Sequence, residues 1–210
     1  MADREAAGPQ VLVLGWLTDL SGSIVAALGR DDIVTKHAHP PCTRVPIRTR
    51  WRATDSAALP LSAAEIESIE SVIAIFDGHF MHSRFGGRQN CASRRRLRAC
   101  ASEACEMATT AALTVGARRA LLIGDARRLP PSRRASATRW TRNLAHRVGY
   151  ECAVNGLPGH SASYAAIDTD DDVPDVADAV VSWHTGHSTE QPRRSPLHPV
   201  VGNSGFTPAR

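Results

Sequence analysis

Apolar and polar positions along this chain alternate between two periods. VLVLG (11–15), SVIAIFD (71–77) and ARRALLIGDA (117–126) hold continuous apolar runs, the pattern of strands covered on both faces. DIVTKHA (32–38) is a weaker second strand, TRVPIRTRW (43–51) a third that Pro46 moves toward an edge, and YECAVNGLP (150–158) a further one. Between them apolar residues recur every three or four positions. GSIVAALGR predicts a short helix ended by Gly29, and Ser62 stands three residues before Glu65 in capping-box register. In the segment 94–116, Leu97, Ala101, Ala104, Ala108, Ala111 and Val115 form one small apolar stripe of a long helix closed by Gly116. SATRWTRNLAHRVG and VPDVADAVVSWH supply two more helices.

Strands separated by helices of this length require parallel βαβ units with right-handed crossovers. The expected fold class is therefore α/β: a doubly wound, mostly parallel, Rossmann-like sheet in a three-layer sandwich. It occupies residues 11–186 as a single domain, between a flexible N-terminus (1–10) and a Pro-, Ser- and Arg-rich tail (187–210).

Composition narrows the function. A hydrophobic content of 42% with 22% charged residues excludes a chain disordered throughout. The longest apolar run, 11–17, is far too short for a membrane span, and the first ten residues hold charges of both signs and no apolar stretch. No membrane partner and a cytoplasmic location are expected, with the five cysteines as reduced thiols. Charge is uneven: 15 Arg against three acids between 84 and 147, then six Asp without a base between 168 and 178. Nucleic acid or an acidic partner would suit the basic segment. Phe85 and Trp140 are its only aromatics, which makes base stacking the less favoured use.

The stretch VLVLGWLTDLSG (11–22) carries the leading functional expectation. In a doubly wound sheet the first strand–helix turn seats phosphates, because N–H groups at the helix start carry partial positive charge. Gly15 stands where the first glycine of such a turn belongs, with Thr18, Ser21 and Gly22 following, while Asp19 places a negative charge where a phosphate would arrive.

With WRATDSAAL (51–59), the long 99–126 segment and VPDVADAVVSWH, this stretch resembles the epimerase-like and NmrA-like branch of the short-chain dehydrogenase/reductase superfamily, over about residues 11–183. The resemblance implies an NADP or NAD cofactor, its pyrophosphate on Gly15, Thr18, Ser21 and Gly22 and its adenine beside Asp55 and Phe76. Lys36, His37 and His39, helped by Arg44, Arg48 and Arg50, favour NADP. The chain departs from the family in having no Tyr-x-x-x-Lys: its one lysine is Lys36 and its tyrosines are Tyr150 and Tyr164. A nucleotide-holding or sensing role therefore fits better than ordinary hydride transfer.

Other constellations are thinner. The 75–87 stretch reads as a polar loop at the edge where α/β sites gather, with Asp77 and His79 as candidate base residues; Asp125 ends the next strand. Ser161, in GLPGHSASYA, sits close to a nucleophile-elbow pattern, so a hydrolase using Ser161 or His79 is the alternative enzyme. A basic protein that docks nucleic acid or an acidic partner is the third reading. No metal site is expected. His37, His39 and Cys42, or Asp77, His79 and His82, match no common zinc spacing, and Cys100 and Cys105 lie about 140° apart on one helix.

Overall fold

A computed structural model describes residues 8–38, 59, 61–87, 90–186 and 196–200. Its elements run β1 (Val11–Leu14), α1 (Asp19–Arg30), β2 (Thr35–Ala38), α2 (Ala63–Ser68), β3 (Ser71–Phe76), α3 (Gly78–Phe85), α4 (Cys91–Val115), β4 (Arg119–Asp125), α5 (Pro131–Val154), β5 (Ser161–Ile167), α6 (Asp172–Thr185) and β6 (His198–Pro199). Among the described residues the strands form one sheet in the order β2-β1-β3-β4-β5-β6, parallel except for β6. The protein is a doubly wound three-layer α/β sandwich.

The strand sequences explain the layers. Successive side chains of a strand point to opposite faces, so each central strand feeds two cores. Val11 and Val13 of β1, Ile73 and Ile75 of β3, and Leu121 and Ile123 of β4 pack with Leu20, Ile24 and Leu28 of α1 and Val176 and Val180 of α6. Leu12, Leu14, Val72, Ala74, Phe76 and Leu122 face the other way, onto α3, α4 and α5. Small residues on α4 (Ala104, Ala108, Ala111, Ala112) let that helix lie close to the sheet.

Three sequence expectations change. The strand expected at 150–158 begins as the last turn of α5: Leu144, Val148 and Cys152 are buried at helical spacing, and the 3.6-residue period runs on through Val154. The true fifth strand is SASYAAI, whose serines and tyrosine mask its apolar alternation. The expected polar loop after β3 is helix α3, capped by Asp77 and anchored by Met81 and Phe85 at i and i+4. Within the stretch expected as a tail, His198–Pro199 pairs antiparallel with β5, and Leu197 is buried against the α6 face. The strand expected at 43–51 lies outside the described residues.

Candidate functional site

From β1 the chain crosses to β2 on one side and then returns to β3 on the other, so chain order reverses between β1 and β3. Loops leaving neighbouring strands diverge at such a point and leave a crevice beyond the carboxyl ends. A cleft of about 880 Å³ opens there. Its walls are Trp16 to Asp19 after β1, Asp77 to Phe80 with Ser83 and Arg84 on α3, Asp125, Arg127 and Arg128 after β4, and Asp170 after β5.

The turn after β1 is built around Gly15. Its φ of +152° is one that side-chain-bearing residues rarely adopt, and a Cβ there would stand 3.0 Å from the Ile75 carbonyl oxygen. Trp16 follows, 41% exposed on the cleft wall. Thr18 then caps α1. Its Oγ1 accepts from the Ser21 N–H at 3.3 Å, while Ser21 Oγ accepts from the Thr18 N–H at 2.7 Å and lies 3.0 Å from the Trp16 carbonyl oxygen as donor. Of the four residues expected to cradle a diphosphate, Thr18 lines the cleft, and Gly15, Thr18 and Ser21 together shape the turn. Thr18 and Ser21 satisfy each other in a capping box, Ser21 is fully buried, and the Gly22 N–H donates to the Thr18 carbonyl inside α1.

Asp19 opens α1, and its carboxylate meets Arg127. Nη1 of Arg127 donates to Asp19 Oδ2 at 2.8 Å and to Asp170 Oδ1 at 2.6 Å. Nη2 donates to Asp19 Oδ1 at 3.1 Å and Asp125 Oδ2 at 2.8 Å, and Nε to Asp125 Oδ1 at 3.0 Å. A guanidinium has five N–H donors, and all five are engaged. The side chains of Arg127 and Asp125 are 14% and 5% exposed, whereas Asp19 and Asp170 stand largely in solvent. Hydrogen bonds from Arg127 hold the Asp19 carboxyl below the usual carboxylate range; those carboxylates, Asp125 foremost, raise the Arg127 pKa further. One cation thereby ties the loops after β1, β4 and β5 together.

The opposite wall is α3. Asp77, buried at the end of β3, accepts the Phe80 N–H at 2.8 Å as N-cap. His79 stands exposed in the first turn. Arg84 lies over the Phe80 ring at 5.7 Å, a cation–π contact. Gly78 has no side chain, which leaves room for Arg128 to cross the helix start: a Cβ there would meet the Arg128 Cδ at 3.0 Å. Ser83, the one serine of this wall, donates to the Phe80 carbonyl.

The structure brings Gly15, Thr18, Ser21, Gly22, Asp77, His79 and Asp125 to the carboxyl edge of the sheet and Ser161 to the opposite edge. Ser161 opens β5 opposite Arg119, at the amino edge of the sheet, about 20 Å from His79 by strand rise. The two cannot act in one hydrolytic site. Asp125 serves as the partner of Arg127 rather than as a free base. Phe76 points into the core, where Trp140 packs edge-on at 5.1 Å, and it does not line the cleft. Lys36 pairs with Glu65 at 2.7 Å. Asp55, His39, Cys42, Arg44, Arg48 and Arg50 lie outside the described residues. Among the described residues no group of His, Cys, Asp or Glu is placed to hold a metal ion, and no helix is long and apolar enough to cross a membrane.

Sequence reasoning missed Arg127. Its position two residues beyond a strong strand was the available signal, since the carboxyl ends of parallel strands carry the site. Its three partners open α1, end β4 and follow β5, and so share no spacing pattern. No protein-family model and no curated protein matches the sequence.

Proposed function

We propose that this protein binds a phosphate-bearing small molecule, NADP or NAD in the first instance, in the cleft at the sheet reversal, and holds it without catalysing ordinary hydride transfer. The observation that carries this reading is the cleft itself, whose volume of about 880 Å³ and position beyond β1 and β3 suit a nucleotide. Two arginines on its walls support an anionic ligand. Arg127 is saturated by carboxylates, which leaves Arg84 and Arg128 as the guanidinium groups to meet phosphates. Trp16 and Leu17, which follow the Gly15 turn, line the cleft beside these arginines. The sequence has no Tyr-x-x-x-Lys pair, so a holding or sensing role remains the better match.

The ligand would not lie on Thr18 and Ser21 as in a glycine-rich turn. It would run from the Gly15–Leu17 backbone toward the first turn of α3. Tryptophan fluorescence during titration with NADPH, NADH and ATP tests the reading, because Trp16 is on the wall. Saturable quenching by NADPH is expected, reduced in amplitude in Trp16→Phe, with affinity weakened roughly 10- to 100-fold in Arg84→Gln/Arg128→Gln through loss of charge-assisted hydrogen bonds. No saturable change with any of the three nucleotides would overturn it.

A further inference from the structure

Helices α4 and α5 pack side by side on one face of the sheet. Each precedes a parallel strand, so both start at the carboxyl edge and run the same way. Their exposed surfaces are basic over the first half of α4 and most of α5. Arg94, Arg95, Arg96 and Arg98 are exposed on α4, and Arg139 and Arg142 on α5. None of these six forms an ion pair among the described residues, whose ion pairs all involve Arg30, Lys36 or Arg127. No acid precedes Glu103 on α4 or Glu151 on α5. A fully solvated helix face ordinarily carries both signs; here the exposed acids of α4, Glu103 and Glu106, come only after the arginine run.

The outer face of α5 adds a second observation. Arg139, Asn143, His146 and Tyr150 recur at i, i+4, i+7 and i+11, which stacks them in one stripe about 16 Å long. All four are exposed, and Tyr150 is 67% exposed. Phe85 and Trp140, the aromatics inside the basic segment of the sequence, are buried and have no face to offer a base. Tyr150, just beyond that segment, does. Cations for a phosphate backbone, an amide and an imidazole for hydrogen bonds, and an exposed aromatic ring form the combination that single-stranded nucleic acid requires. An acidic polypeptide would use the charge but not the ring.

We infer that the α4–α5 face binds single-stranded nucleic acid, with arginines of both helices on the backbone phosphates and a base stacked on Tyr150. This surface is distinct from the nucleotide cleft, and its residues line none of it.

Fluorescence anisotropy with a labelled single-stranded DNA of about 20 nucleotides tests the inference on the full chain. Binding is expected at low salt, weakening as salt rises with a log–log slope set by the phosphates neutralised, about 0.7 for each. Arg95→Gln/Arg98→Gln/Arg139→Gln/Arg142→Gln should weaken binding at least tenfold and flatten that slope. Tyr150→Ala should weaken it roughly 5- to 100-fold and leave the slope unchanged. Unchanged thermal unfolding of both variants, and an unaltered NADPH titration, separate loss of this surface from loss of the fold or the cleft. Absent binding at low salt, an unaffected quadruple variant, or polyglutamate competing as well as unlabelled DNA would each overturn it.

Discussion

Arg127 is where several loops are joined by one side chain. A partly buried cation is costly unless it is paired, and here Asp125 supplies the buried partner while Asp19 and Asp170 accept the remaining N–H groups from the solvent side. Removing the guanidinium leaves the Asp125 carboxylate buried without a counter-charge, with the backbone N–H of position 127 still donating to it. Arg127→Met should therefore cost about 3 kcal/mol in urea unfolding, with much of that recovered in Arg127→Met/Asp125→Leu. Asp19→Asn, at an exposed partner, should cost less than about 1 kcal/mol. Equal losses in the two single variants would contradict this division of roles. Gly15 was legible in the sequence because a glycine ending a buried strand has few other uses. The Asp19–Arg127–Asp170 tie was not, because chain spacing carries no information on which loops meet across a sheet edge.

Helix α3 shows how an element can be hidden. Its first residue is glycine, its fully buried anchors Met81 and Phe85 are joined by a half-buried Phe80, and its two histidines and Arg84 give it the composition of a loop. What starts it is Asp77, whose carboxylate takes the Phe80 N–H and so fixes the wall of the cleft. Asp77→Ala should cost about 1 kcal/mol, as loss of an N-cap does, and Asp77→Ser should restore most of it. If Asp77→Ser were as unstable as Asp77→Ala, the aspartate would have a role other than capping. The strong strands β1, β3 and β4 were legible because burial on both faces leaves an unbroken apolar run. The fifth strand was not, since Ser161, Ser163 and Tyr164 interrupt it and the apolar period of α5 runs into the stretch before it.

At the scale of the molecule, two cores share one sheet, and the amino edge carries two half-buried histidines. Ser71 Oγ lies 2.9 Å from His184 Nδ1, and His160 Nδ1 lies 2.8 Å from the Ala117 carbonyl oxygen. Burial pushes the pKa of both below the ordinary histidine value. The unfolded chain then binds protons that the folded chain refuses. The stability these groups contribute is full above the unfolded pKa, about 6.5, and is lost as pH falls from there through the folded values. Urea midpoints should thus drop between pH 7.5 and pH 5.5, and the drop should shrink in His184→Asn; a flat profile would contradict it. The sandwich could be read from periodicity alone, whereas the basic face could be placed only once α4 and α5 lay side by side.

Mapping backbone amides by NMR during an NADPH titration asks whether a nucleotide enters the cleft at the sheet reversal. Saturable shifts are expected at Gly15 to Leu17 and Gly78 to Phe80, with the amides around Ser161 and Arg119 unmoved. Shifts confined to the amino edge or to the α4–α5 face, or none at saturating NADPH, would contradict it.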